Sequence, residues 1–331
     1  MTPLAGKKVL VTGADGFIGS HLTERLIAEG ADVRAICFYN HTSSWGWLDQ
    51  LSPDQAERVD VVLGDIRDER LVREACQGIE TVFHLAALIS IPYSYTAPAS
   101  FVDTNVRGTL NVLEGARDAG CARIINTSTS EVYGTPDTVP IREDHPLKGQ
   151  SPYSATKIAA DKLCEAYALS FGTPVVVLRP FNTYGPRQSA RAVLMTILSQ
   201  LLAGKRRVSL GSATPRRDFT YVADTVDGFV RAASAPIEPG EVIQLGSGSA
   251  CSVKEVFDIA CGVLDVQAEI EVADARVRPA ASEVQVLLSD PSRAAERLGW
   301  KAETTLEEGI EKAAAWLKDW MHLYRTDHYV T

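Results

Sequence analysis

Residues 1–178 alternate short, unbroken apolar runs with longer stretches of helical periodicity. The runs Val9 to Thr12, Val33 to Phe38, Val59 to Leu63, Thr81 to Leu85, Arg123 to Thr127 and Val175 to Leu178 predict buried strands. Between them Ile18 to Ala28, Phe101 to Ala119 and Tyr153 to Phe171 predict helices, with Ile18, Leu22 and Leu26 spaced for one buried face. That alternation implies an α/β fold: a Rossmann-type, doubly wound parallel sheet covered by helices on both sides. After Arg179 the pattern breaks into RPFNTYGPRQ, a loop punctuated by Pro and Gly, and then into irregular short elements. Residues 179–331 are therefore expected to form mostly a smaller mixed α/β lobe, with 222–245 returning to the first sheet.

Composition narrows the partners. The chain has 331 residues, 45% hydrophobic and 23% charged, as an ordinary globular protein does, and no repeat at a fixed period. Its net charge of -9 argues against a broad nucleic-acid face, which needs clustered Lys and Arg. The opening MTPLAGKKVLVTG enters a strand pattern without a signal peptide, and no apolar stretch approaches the roughly 20 residues that cross a bilayer. A cytoplasmic protein without a membrane partner is expected. Six scattered cysteines without a C-x-x-C pair predict reduced thiols, and six histidines without ligand spacing predict no metal site.

The first chemical signal is Gly13-Ala14-Asp15-Gly16-Phe17-Ile18-Gly19, placed between the first predicted strand and the first helix. Glycines so spaced let the backbone turn tightly, approach a pyrophosphate and aim a helix N-terminus at its charge, so a dinucleotide site is predicted. A carboxylate at the end of strand 2 would select NAD, but that strand ends Cys37-Phe38-Tyr39-Asn40. Asn40 can bond a ribose hydroxyl without repelling a phosphate, which leaves NAD and NADP both open. Asp65, in LGDIRD, can accept from an adenine amine, or can simply stand in the turn before a helix capped by Asp68.

The second signal is Tyr153-Ser154-Ala155-Thr156-Lys157, a phenol and an ammonium on one face of a helix. The lysine lowers the phenol's pKa, so that a phenolate can take a proton from an alcohol as hydride leaves its carbon. The third is TSTSEVYG at 127–134, four hydroxyl side chains and an acid closing a buried strand.

GADGFIG, HLAA at 84–87, TSTSEVYG, YSATK and RPFNTYGPRQ together resemble the extended short-chain dehydrogenase/reductase superfamily, in its nucleotide-sugar epimerase/dehydratase branch. The resemblance implies that Thr129 orients the sugar O4, Tyr153 is the base and Lys157 its partner. It also implies that Gly13, Gly16, Phe17, Ile18, Gly19, Asp65, Ile66, Leu85, Ala86 and Ala87 line the cofactor, NAD with NADP not excluded. Simple 4-epimerases usually carry a small residue where Glu131 stands, whereas 4,6-dehydratases and UDP-glucuronate decarboxylases carry Glu. In a dehydratase a C4 ketone acidifies the C5 proton, Glu131 removes it, and the C6 hydroxyl leaves as water. Glucose-nucleotide dehydratases place an Asp before this Glu; here Ser130 stands there, so Glu131 serves as base and acid, or Ser130 positions the C6 hydroxyl.

An anionic diphosphate in an acidic protein calls for arginines, and Arg187, Arg191, Arg217 and Arg278 lie beside Pro- and Gly-marked loops. By resemblance Arg217 and Arg278 clamp the nucleotide diphosphate and Asn182 contacts substrate. FYNHTSSWGWLD and LISIPYSY look most like the N-acetylglucosamine-nucleotide 4,6-dehydratases of legionaminic acid biosynthesis, and imply UDP-N-acetylglucosamine or a relative as substrate. Trp45 and Trp47 are candidates for packing on the adenine, on the substrate or across an interface. The branch also implies a homodimer, with Ile158, Ala159, Leu163 and Tyr167 as its apolar surface. The rival activities are UDP-glucuronate decarboxylation and 4-epimerisation. A non-enzymatic dinucleotide sensor would be expected to lack Tyr153, Lys157 or Thr129, and all three are present.

Overall fold

A computed structural model describes residues 4–273, 276 and 279–326. Seven strands form one parallel sheet: β1 (Lys8–Thr12), β2 (Asp32–Phe38), β3 (Val59–Gly64), β4 (Thr81–His84), β5 (Arg123–Thr127), β6 (Val175–Pro180) and, later in the chain, β10 (Val242–Leu245). Their order is β10-β6-β5-β4-β1-β2-β3, a Rossmann-type arrangement in which the chain reverses direction across the sheet between β1 and β4. The apolar runs are unbroken because both faces are covered. Val9, Val11, Phe83, Ile125 and Val176 pack into one core, while Leu10, Val82, Ile124, Val175 and Val177 pack into the other.

The remaining strands build a smaller lobe at the C-terminal edge of this sheet. β7 (Asn182–Tyr184), β9 (Arg216–Tyr221), β11 (Ala250–Ser252) and β13 (Val286–Leu287) form a four-stranded mixed sheet around β9. β8 (Arg207–Leu210) pairs with β12 (Glu269–Val272). The helix Leu306–Trp320 returns from this lobe to the first: Trp316 and Trp320 pack edge-on against Trp47, with ring centroids 5.5 and 6.3 Å away. Both tryptophans of the loop after β2 thus pack within the chain, Trp45 lying against the first core, while Trp47 also borders the cavity at the strand ends.

The long helix expected over Phe101 to Ala119 is interrupted. Val102–Arg107 winds as a π-helix before the α-helix Gly108–Asp118. The wider turn brings buried Asn105 inward, where its amide donates to the Leu88 carbonyl (2.9 Å) and the Thr156 hydroxyl (3.1 Å) and its oxygen accepts from Leu88 N. On the helix Pro152–Phe171, Leu163 and Tyr167 pack into the second core. Ile158 packs beside Tyr133 and Phe181. Three of the four residues expected to offer a dimer surface therefore face their own chain.

A buried histidine fixes the switch point between β1 and β4. His84 Nε2 lies 3.0 Å from Thr109 Oγ1, which donates to Asn105 O; its Nδ1 lies 2.8 Å from Thr12 Oγ1, which accepts from Leu85 N and Ala86 N. Only a neutral ring protonated on Nε2 satisfies every partner. Burial, then the charge of Lys157, depresses the imidazole from 6.5 to about 3. The unfolded chain consequently binds a proton between pH 6.5 and about 3 that the folded chain does not, and His84 loses stability for the fold as pH falls through that window. We expect unfolding free energies to drop by about 1.4 kcal/mol per pH unit from this group at pH values well below 6.5. In urea titrations between pH 6.5 and pH 5, His84→Asn should flatten the slope. An unchanged slope would contradict a neutral buried ring.

Candidate active site

The strand ends, the loop after β4 and the smaller lobe enclose a cavity of about 1150 Å³. The glycine loop forms one wall. Gly13 sits at φ +70°, and a Cβ there would come within 2.8 Å of the Ala86 backbone; one on Gly19 would meet Gly13 O at 2.1 Å. Side chains are therefore excluded where β1 meets the loop after β4. The helix Phe17–Ala28 begins at Gly16 with no side-chain cap and no acid in its first turn. Its free N–H groups and positive dipole end suit a phosphate, so the cradle fits a dinucleotide pyrophosphate. Gly13, Gly16, Phe17, Ile18 and Gly19 line this wall, continued by Asp65 and Ile66 and by Leu85, Ala86 and Ala87.

One cofactor expectation changes. Asn40 is outside the cavity wall, because its own loop uses its amide completely. It donates to Phe38 O and Ser44 O and accepts from Thr42 N, Thr42 Oγ1 and Ser44 N. Asp68 caps the helix Glu69–Ala75 through Arg70 N and Leu71 N. Asp65 stands in the turn before it, paired at 2.5 Å with Arg67. That guanidinium's hydrogen bonds hold the Asp65 carboxyl below its ordinary value.

At the hydroxyl-rich strand end Thr127, Ser128, Thr129 and Glu131 border the cavity and Ser130 does not. Thr129 is extended (φ -158°, ψ 153°), so the Ser130 side chain points opposite to its own. Thr127, Thr129 and Glu131 are half-buried on the cavity wall. Ser130 is buried at 2% exposure. Thr129 Oγ1 accepts from Glu131 N at 3.2 Å, and this cap starts the short turn Ser130–Tyr133 that carries Glu131.

Tyr153 and Lys157 reach the same wall from the helix Pro152–Phe171, started by a reciprocal Ser151–Ser154 cap. Burial pushes the Tyr153 phenol up; a hydrogen bond with Thr129 lowers it, and the charges of Glu131 and Asp161 raise it. Lys157 Nζ donates to Thr127 O at 2.5 Å. Burial lowers the ammonium's pKa, and the Asp161 charge opposes that. In this structure Lys157 is anchored to the strand end, not to the phenol whose pKa it was expected to lower.

Asp161, missed in the sequence, lies one helical turn past Lys157. Its Oδ2 accepts from Ser128 Oγ (2.8 Å) and from Arg179 Nε (3.1 Å) and Nη2 (3.0 Å), all buried. Arg179 also donates to Tyr133 Oη at 3.0 Å. The carboxylate thus joins the catalytic helix to the ends of β5 and β6. The Tyr-x-x-x-Lys spacing extended by four residues was a visible signal for it.

On the substrate side Asn182, Arg191 and Arg217 line the cavity, whereas Arg278 lies outside the described residues. Arg217 is 3.1 Å from Glu283 Oε1, both largely buried. Arg187 binds Glu24 at 2.7 Å and Ser20 Oγ at 3.2 Å, tying the RPFNTYGPRQ loop to the first helix. Among the described residues no group of three or more His, Cys, Asp or Glu could hold a metal ion.

The sequence model of the GDP-mannose 4,6 dehydratase family matches residues 10–313. A UDP-glucose 4-epimerase of Mycolicibacterium smegmatis is 34% identical over 94% of this chain and 99% of its own. A dTDP-glucose 4,6-dehydratase of Actinoplanes is 33% identical over 94% and 98%. The structure of MoeE5 in complex with UDP-glucose and NAD superposes with a TM-score of 0.83 at 32% identity, covering 95% of this chain and 99% of that one.

The Asp161 pair yields a stability test. Asp161→Asn should cost about 3 kcal/mol, because it strands a buried guanidinium. Adding Arg179→Met should restore most of that loss. Denaturant titration of the two variants measures both, and a loss under 1 kcal/mol in the single variant would contradict a buried ion pair.

Proposed function

The chain belongs to the GDP-mannose 4,6 dehydratase family of nucleotide-sugar dehydratases and epimerases, and from that premise we propose that it is an NAD-dependent nucleotide-sugar 4,6-dehydratase acting on UDP-N-acetylglucosamine or a related nucleotide hexose. The observation that carries this reading is Glu131 on the cavity wall beside Thr129 and Tyr153. A 4-epimerase needs the hydroxyl, the phenol and the ammonium, and has no task for a carboxylate there. Relatives of both activities match the chain, so the carboxylate, not the overall likeness, favours dehydration.

NAD bound against the glycine loop supplies a reversible hydride acceptor at the sugar. Tyr153 is the base for the C4 hydroxyl: the positive charges of Lys157 and of a bound nicotinamide ring would offset the burial that raises its phenol, and Thr129 orients the sugar oxygen. Lys157, anchored on Thr127 O, holds its ammonium on the wall it shares with Tyr153. With C4 a ketone, Glu131 takes the acidified C5 proton. Since Ser130 is turned inward, Glu131 also returns a proton to the departing C6 hydroxyl, which leaves as water. Arg217 and Arg191 hold the diphosphate, and Asn182 borders the sugar. The hydride taken from C4 returns to C6 and a proton returns to C5, so the product is a 4-keto-6-deoxy sugar nucleotide and the cofactor would end as it began.

The same reading places the enzyme in the cytoplasm, where its cysteines, free in the structure, stay reduced. Among the described residues no helix is long and apolar enough to cross a membrane. It also makes the protein a homodimer; Val102, Leu110 and Leu169 are exposed apolar side chains on the two helices that would pair.

Two substitutions test the chemistry. Tyr153→Phe should lower turnover at least a hundredfold by removing the base, and wild-type turnover would sink the phenolate role. Glu131→Gln should abolish water loss yet still let absorbance of reduced nicotinamide appear when the sugar binds. Normal dehydration by Glu131→Gln would reassign the base.

A further inference from the structure

A dinucleotide fold that selects NAD ordinarily places a carboxylate at the end of its second strand, against the adenosine ribose. Here that position is vacant of acids: β2 ends at Phe38, and Tyr39 and Asn40 follow. Asn40 is used up within its loop. The next acid, Asp49, is held by Ser44 Oγ (2.5 Å) and Trp45 N (2.9 Å).

The glycine loop supplies a carboxylate to the same place. Asp15 Oδ2 accepts from Phe38 N at 3.3 Å, so the side chain reaches across from β1 to the end of β2. It lines the cavity together with Gly13, Phe38 and Trp47. The post-β2 loop is built around it: Trp47 N donates to Asp15 O at 3.1 Å, and a Cβ on Gly46 would come within 2.7 Å of that oxygen. Burial raises the Asp15 carboxyl above its ordinary value, and ribose hydroxyl donors would offset that cost. The cation on this wall that would favour a phosphate, Arg67, is already paired with Asp65.

We infer that Asp15 replaces the missing strand-end acid: its carboxylate accepts from the adenosine 2′-hydroxyl and repels a 2′-phosphate, making the site selective for NAD over NADP. The inference rests on the dinucleotide reading of the glycine loop and is independent of which sugar reaction follows. It moves the specificity determinant from the second strand into the glycine loop itself.

The test is isothermal titration of the full-length protein with NAD and with NADP, for the wild type, Asp15→Asn and Asp15→Ser. Asn keeps an acceptor for Phe38 N and removes only the charge, while Ser is a smaller second variant. The wild type should bind NAD about a hundredfold more tightly than NADP, and both variants should narrow that ratio at least tenfold, chiefly by gaining NADP affinity. A ratio that survives both substitutions, in a protein that does bind NAD, overturns the role of Asp15 alone. A wild type that binds the two equally overturns it as well. A wild type that binds neither overturns the dinucleotide reading, and this inference with it.

Discussion

The site depends on one buried carboxylate. Asp161 sits on the helix that carries Tyr153 and Lys157, and it accepts from Ser128 on the β5 end and Arg179 on β6. Those contacts set the distance between the helix and the strand ends bearing Thr129, Glu131 and Asn182. The same charge opposes the desolvation of Lys157. A buried ion pair contributes little net stability compared with an apolar replacement, so its value here is registry: it leaves one arrangement of three elements that satisfies every charge.

The second constraint is steric. Gly13 leaves no room for a side chain against Ala86 and Gly19 none against Gly13, and the uncapped helix beyond Gly16 keeps its N–H groups for a ligand. His84, Thr12 and Thr109 lock the neighbouring strand end through a network that only a neutral imidazole satisfies. Phosphate cradle and catalytic wall are thus fixed by separate devices on either side of the sheet's switch point, and the cavity lies between them.

What could be read from the sequence was what depends on local spacing. The Tyr153/Lys157 pair, the glycine loop and the six apolar runs are set by the periods of helix and strand, so their placement survives in one dimension. What could not be read depends on direction or on distant partners. The inward turn of Ser130 follows from the extended backbone of Thr129, which its identity does not reveal. Asn40 was a sound ribose ligand by chemistry, but an Asx-type turn closed on it first. Arg187 meets Glu24 across 163 positions, and Trp47 meets a helix near the other end of the chain. The π turn that delivers Asn105 is one added residue in a helix, with no compositional mark.

The central claim is that Glu131 converts an oxidation at C4 into loss of water, and it is tested most directly by turning over UDP-N-acetylglucosamine in D₂O and weighing the product. The account predicts a nucleotide sugar that has lost one water and gained one deuterium, carried at C5, where the carboxylate acts. An isomer of unchanged mass with no deuterium at C5 would contradict it and make the enzyme an epimerase, with Glu131 a bystander of the reaction.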